Sequence, residues 1–141
     1  MDCNPQLIEL LISYWRLQDI ELMLALCHDD VIYRRNMAPE IAFASEAQGR
    51  EVVRRLFHSR LQEWEYLEFD PVLLGCADSI GRIHTRYRML HRASGEILAG
   101  SNRTVIHVRD GRVAEIEEFE DVALLAAFIQ FARSQVPTVT N

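Results

Sequence analysis

Gly111-Arg112-Val113-Ala114-Glu115-Ile116-Glu117-Glu118-Phe119-Glu120-Asp121 reads as a β-strand that carries carboxylates on both of its faces. Asp110-Gly111 at its head is a hairpin signal, because a tight two-residue turn needs positive φ at both central positions. Strand side chains alternate, so Arg112, Ala114, Ile116, Glu118 and Glu120 share one face, and Val113, Glu115, Glu117, Phe119 and Asp121 the other. A small domain has to cover at least one face of its sheet with helices, so the inward face takes two or three acids with it. A buried carboxylate is costly unless it is paired, hydrogen-bonded or protonated, which makes this strand the place to look for chemistry. The alternative is that the acids lie at the wet end of the sheet and pair with arginines.

Working outward from this strand, the chain divides into helices first and strands last. Leu7, Ile8, Leu11, Ile12, Trp15 and Leu17 recur at helical spacing behind Pro5, and Asp19 is placed to cap a second, short helix carrying Ile20, Met23, Leu24, Leu26 and Cys27. Asp29-Asp30 then read as a stop, with a strand opening at Val31-Ile32-Tyr33-Arg34-Arg35. Residues 36–48 read as an irregular stretch, apolar for a loop through Met37, Ile41 and Phe43, and loops of that length often act as lids. Gly49 introduces a long amphipathic helix with Val52, Val53, Leu56, Phe57, Leu61 and Trp64 on one side. Its basic run, Arg50, Arg54, Arg55, His58 and Arg60, reads as a solvated face. Strands follow at about 66–76, 80–92, 97–109 and 112–120, joined by short turns into an antiparallel meander, with Pro71 marking a bulge or an edge. Residues 121–134 form an apolar last helix that needs a sheet end or a second subunit to cover it.

Composition narrows the function classes. The 141 residues are 49% hydrophobic, which suits one domain over 1–141 with a flexible tail at 136–141. A net charge of −6 disfavours a nucleic-acid or anionic-membrane partner. Cys3, Cys27 and Cys76 are odd in number and lack a C-x-x-C pattern, so neither a disulfide framework nor a zinc site is indicated and a reducing compartment fits. The N-terminus has no basic region ahead of an apolar run, and no run approaches the ~18 apolar residues of a membrane span, so the expected location is cytoplasmic. His84 and His91 point to opposite faces of one strand, and no H-x-H or H-E-x-x-H pattern occurs, so no metal is expected. No Gly-rich phosphate loop follows a strand, so no cofactor is expected either.

Three helices and an early strand ahead of a long curved meander form an order that resembles nuclear transport factor 2, ketosteroid isomerase and the SnoaL-like polyketide cyclases. Asp19-Ile20-Glu21, Ala25-Leu26-Cys27-His28-Asp29-Asp30-Val31 and Gly49-Arg50-Glu51-Val52-Val53-Arg54-Arg55-Leu56-Phe57 resemble stretches of that superfamily, as does Asp110-Gly111-Arg112-Val113. The resemblance implies an α+β fold: a cone-shaped curved antiparallel sheet packed with three N-terminal helices and a C-terminal helix, a nuclear transport factor 2-like, cystatin-like roll. It also implies a pocket on the concave face, with Val31, Tyr33, Arg35, Ile83, Thr85, Tyr87, Met89, His91, Asn102, Thr104, Ile106, Val108, Ile116, Glu118 and Glu120 inward. Glu118 then matches the acid that serves SnoaL-like cyclases as catalytic base, while the histidine beside that acid is replaced by Ile116. Ketosteroid isomerase positions are occupied by Arg35, Leu11 and Thr104, which argues against steroid isomerisation by that family's acids and tyrosine.

The expected catalytic set is therefore Glu118, Arg35, Tyr33 and His91. Desolvation would raise the Glu118 pKa and turn it into a base, whereas pairing with Arg35 would make it a structural ion pair; the residues alone leave both open. Trp15, Phe43, Trp64, Tyr87, Asn102, Thr104, Ile116 and Glu120 are the expected ligand-binding residues. The first functional expectation is a cofactor-independent general acid/base enzyme of isomerase, cyclase or hydratase/dehydratase type on a small apolar carbonyl or hydroxyl compound. The alternatives are a non-catalytic small-ligand-binding dimer of the same fold and an accessory subunit resembling the β subunits of ring-hydroxylating dioxygenases. The expected partners are a small hydrophobic molecule and a second copy of the chain.

Overall fold

The computed structural model describes residues 4–37 and 45–136. Helix α1 (Pro5–Arg16) starts where Asn4 caps it, the Asn4 Oδ1 accepting from the Leu7 N–H at 3.2 Å with Pro5 just inside the first turn. Helix α2 (Ile20–Ala25) starts at Asp19, whose Oδ1 accepts from the Leu22 N–H at 3.0 Å. Strand β1 (Cys27–Arg35) begins earlier than the sequence predicts: Asp29 and Asp30 lie within it, exposed, instead of ending the helix. Strand β2 (Glu46–Gln48) occupies part of the stretch expected to be irregular, and residues 38–44, the heart of the expected lid, lie outside the described residues. Helix α3 (Arg50–Glu63) leads into β3 (Trp64–Ala77), β4 (Ile80–His91), β5 (Ile97–Arg109) and β6 (Arg112–Glu120), and α4 (Val122–Ser134) closes the described chain under an Asp121 cap.

The six strands run β2-β1-β6-β5-β4-β3 as an unclosed sheet, antiparallel throughout except that β1 and β6 are parallel. The hairpin turn that Asp110-Gly111 marks in the sequence forms with positive φ at both residues, and the short β3–β4 turn at Asp78 and Ser79 has positive φ at both as well. Single extra residues bend the sheet. Leu67 and Leu74 bulge from β3, the edge strand in which Pro71 itself stays in register with Thr85, and Ala114 bulges from β6. The Ala114 bulge resets the alternation, so Val113 is buried together with Ile116, Glu118 and Glu120, although strict alternation puts it on the opposite face.

Two apolar clusters fill the concave side. One joins α1, α2 and α3 to Val31, Tyr33, Ile83, Ile106, Val113 and Ile116; the other joins α4 to Trp64, Tyr87 and Met89. Gly100 allows the second to form, because a Cβ there would lie 2.8 Å from the Tyr87 hydroxyl oxygen. Cys27 is free and buried, and burial pushes its thiol pKa up to about 12. Cys76 is disulfide-bonded, which corrects the expectation of no disulfide; spacing along the chain does not reveal which cysteines a fold brings together. No described helix is long and apolar enough to cross a membrane.

Candidate functional site

Cross-strand register sets two polar rows on the concave floor. Glu118 lies opposite Thr104 and, beyond it, Ile83; Glu120 lies opposite Asn102 and, beyond it, Thr85. The Glu118 and Glu120 side chains are only 4% and 3% exposed, and each has a different arginine. Arg60 Nη1 stands 3.6 Å from Glu118 Oε1, and Arg35 Nη2 stands 3.4 Å from Glu120 Oε1. Glu120 also accepts from Asn102 Nδ2 at 3.1 Å and from the Tyr87 hydroxyl at 3.4 Å, while Asn36 clamps its backbone from both sides. Burial, and then the Glu118 charge, raise the Glu120 pKa, with Arg35 pulling it back. Thr85 Oγ1, Thr104 Oγ1, Asn102 Oδ1 and Arg35 Nε are buried beside these acids with no hydrogen-bond partner among the described residues, the usual mark of a place for ordered water or a ligand group.

Above Glu118, α3 lays Arg60 against aromatic rings. Its guanidinium sits 5.2 Å from the Tyr33 ring centroid and 5.3 Å from that of Phe57, and Nη2 donates to the Tyr33 hydroxyl at 2.5 Å. Burial raises the Tyr33, Tyr66 and Tyr87 pKa values, so all three hydroxyls stay neutral near pH 7. Burial is also the largest influence on Arg60 and opposes its charge, but Tyr33, Glu118 and Tyr66 more than offset it and hold the cation. A narrow cleft opens here, with a cavity volume of only about 20 Å³, room for one water as it stands. Trp15, Met23, Phe57, Tyr66 and Phe69 wall it, and Glu118, Arg60, Asn102 and Gln18 are its polar groups. The aromatic wall is continuous: Trp15 and Phe69 centroids are 5.8 Å apart, Phe69 and Tyr66 4.8 Å, and Tyr66 and Tyr87 6.0 Å. One carboxylate, Glu118, and one guanidinium, Arg60, lie among the groups that line this cleft.

On the opposite face of the sheet, His107, Glu115 and Glu117 bring ligand atoms within 4.8 Å of one another. Each is already engaged: His107 Nε2 is 2.7 Å from Glu117 Oε1, and Glu115 pairs with the Arg34 guanidinium, a cation in the place a metal would need.

The sequence model of the SnoaL-like domain family matches residues 8–116. The chain belongs to the SnoaL-like family. No curated protein matches it. Solved structures that resemble this SnoaL-like chain include a nuclear transport factor 2-like protein from Burkholderia thailandensis, at 21% identity and TM-score 0.75 over 89% of this chain and 95% of the other. A protein named as an isomerase from Bacillus subtilis matches at 16% identity and TM-score 0.74, covering 90% and 91%. One named as a polyketide cyclase from Xanthomonas campestris matches at 12% identity and TM-score 0.73, covering 88% and 94%. At these identities the likeness is one of fold.

Within this SnoaL-like framework the structure brings together Glu118, Tyr33, Arg35, Asn102, Thr104, Tyr87 and Glu120 around the floor, and Trp15 in the cleft wall. Ile116 is core beside them. Arg35 lies level with Glu118 in the β1–β6 ladder, yet its guanidinium reaches Glu120, so the expected Arg35–Glu118 pair is replaced by Arg60–Glu118. His91 and Trp64 stand apart, at the other end of β4 and beneath α4, where His91 Nε2 is 2.9 Å from Glu63 Oε2 and Nδ1 is 2.7 Å from Ser94 Oγ. Phe43 lies outside the described residues. Sequence reasoning missed Arg60 and the Tyr66–Phe69 wall. The signal for Arg60 was its spacing: Val53, Leu56 and Phe57 are the buried residues of α3, and position 60 continues their stripe.

Proposed function

We propose that this SnoaL-like protein is a cofactor-independent acid/base enzyme, of cyclase, isomerase or hydratase/dehydratase type, acting on a small apolar carbonyl or hydroxyl compound with Glu118 as proton acceptor. One observation carries the reading. The Glu118 carboxylate is almost fully buried, makes no hydrogen bond among the described residues, and lines the aromatic cleft beside Arg60. A base placed so can take a proton from carbon next to a carbonyl and return it elsewhere, which is the step common to isomerisation and to cyclisation through an enolate. Solved relatives named as isomerase and polyketide cyclase support the class.

The test needs no native substrate. Small aryl ketones such as acetophenone and 2-tetralone are incubated with the protein in deuterated water, and exchange of their α-protons is followed by NMR. Exchange catalysed by the wild type and lost in Glu118→Gln is the expected result. Ketones that bind, seen by line broadening, yet exchange no faster than in buffer overturn it. That second outcome selects the binding-protein reading, which the pairing of each acid with its own arginine favours. Pairing of two copies through the outer sheet face is part of the same proposal.

A further inference from the structure

We propose that Arg60 is the group that receives negative charge on the substrate oxygen, so that the cleft is selective for compounds that form an enolate or phenolate at its inner end. The proposal rests on the acid/base reading of Glu118 and adds to it the residue that stabilises the product of proton transfer. A guanidinium carries five N–H donors. Among the described residues Arg60 spends one of them, on Tyr33. Its contact with Glu118 at 3.6 Å is an ion pair beyond hydrogen-bond distance. Nε and Nη1 make no hydrogen bond among the described residues, and Arg60 lines the cleft, so these edges are the donors it has left to offer there. Tyr33 and Phe57 fix the plane of the group, so those edges are held in place before any ligand arrives.

The charge balance follows. A C–H bond next to the carbonyl breaks, its electron pair becomes the new C=C bond, the carbonyl π pair moves to oxygen, and the proton goes to a Glu118 oxygen. One negative charge thus leaves Glu118 and appears on the substrate. Arg60 touches both places, so it exchanges one anionic partner for another, and no isolated charge is created in the buried cluster. Return of the proton to carbon reverses the transfer. Arg35 cannot substitute, because it is turned to Glu120.

Charge on the oxygen can be read directly with 4-nitrophenol, whose ionised form absorbs visible light, against nitrobenzene as the neutral control. Glu118→Gln imitates the protein after it has taken the proton. This variant is expected to bind nitrophenolate about tenfold tighter than nitrobenzene, and to raise the ionised fraction of the phenol at fixed pH. Adding Arg60→Gln should abolish both effects, while Arg60→Lys in the same background keeps the charge, loses the fork and gives an intermediate preference. Circular dichroism melts confirm folding, and the lysine variant decides the matter if the glutamine variant unfolds. Binding of the neutral phenol by Glu118→Gln, or a phenolate preference that survives Arg60→Gln, overturns the proposal. Anion preference without any ketone exchange would instead leave the Arg60 assignment standing and remove the Glu118 base.

Discussion

Single atoms decide this site, beginning with one that is missing. Tyr87 and Gly100 face each other across the β4–β5 ladder, and the tyrosine ring lies over the glycine and reaches Glu120 at 3.4 Å. A Cβ at position 100 would meet the Tyr87 hydroxyl oxygen at 2.8 Å and Cζ at 2.9 Å. Tyr66 closes off the retreat of that ring from the side. Gly100→Ala is therefore expected to cost about 1–3 kcal/mol, whereas Gly75→Ala, with open space around its Cβ, stays within about 0.5 kcal/mol of wild type in urea unfolding. Equal midpoints for the two variants would show that Tyr87 is not held over the glycine. At this scale the sequence was legible where one residue type answers one question. Alternation along β4 assigns Ile83, Thr85, Tyr87, Met89 and His91 inward, and all five are buried. It was silent where a long side chain chooses its direction. Strand facing turns Arg35 inward but does not say that its guanidinium leans to Glu120, and a helical run of basic residues conceals that Arg60 sits on the apolar stripe.

Elements obey local rules until something remote holds them. The turn at Asp110–Gly111 was readable because positive φ has a strong residue signature, while the Ala114 bulge was not, since Val113 and Ala114 are both apolar and either fits inward. Helix α4 shows a different limit. Its apolar composition predicts that it is covered, and the structure supplies the cover as Trp64 and Met89 at the far end of the sheet, which draws Trp64 and His91 away from the cleft. The last turn of α4 is tied down by Glu63, whose carboxylate accepts from Arg133 Nε and Nη2, both at 2.9 Å, and from His91 Nε2 at 2.9 Å. Arg133 first, and His91 with it, hold the Glu63 pKa below its ordinary value. A depressed carboxylate pKa gives stability that is complete above the unfolded value of about 4.3 and is lost as pH falls through the folded one. Glu63→Gln should accordingly lower stability by about 1 kcal/mol at pH 7, with the difference shrinking in acid below pH ~4. A gap that stays constant down to acid pH would mean that the carboxylate charge plays no part in holding α4.

The outer face of the sheet is where the whole molecule meets its surroundings, and its charges are segregated by strand. Arg82, Arg86 and Arg103 on β4 and β5 are exposed and have no ion pair among the described residues, whereas β6 carries the half-buried Glu115 and Glu117, already paired with Arg34 and His107, beside exposed Phe119. A two-fold axis through this face would set the arginines of one copy against the acids of the other, the self-complementarity that an isologous interface requires. The net charge of −6 per chain opposes association in general, so a dimer formed here has to draw on local complementarity and on the apolar area around Phe119. Light scattering at micromolar concentration is expected to give the mass of two chains. Arg103→Glu occurs twice in an isologous contact and should shift the protein to monomer, and the further change Glu117→Arg should bring the dimer back by exchanging the signs. A wild-type monomer removes the interface. A dimer indifferent to Arg103→Glu assigns the pairing to another surface, for which the exposed Leu124 and Phe131 of α4 are the apolar alternative. The two faces of β6 differ in their surroundings: Glu118 and Glu120 are buried on the concave side, where Glu118 lines the cleft, and Glu115 and Glu117 lie on the outer face. That division follows from the alternation of one acidic strand.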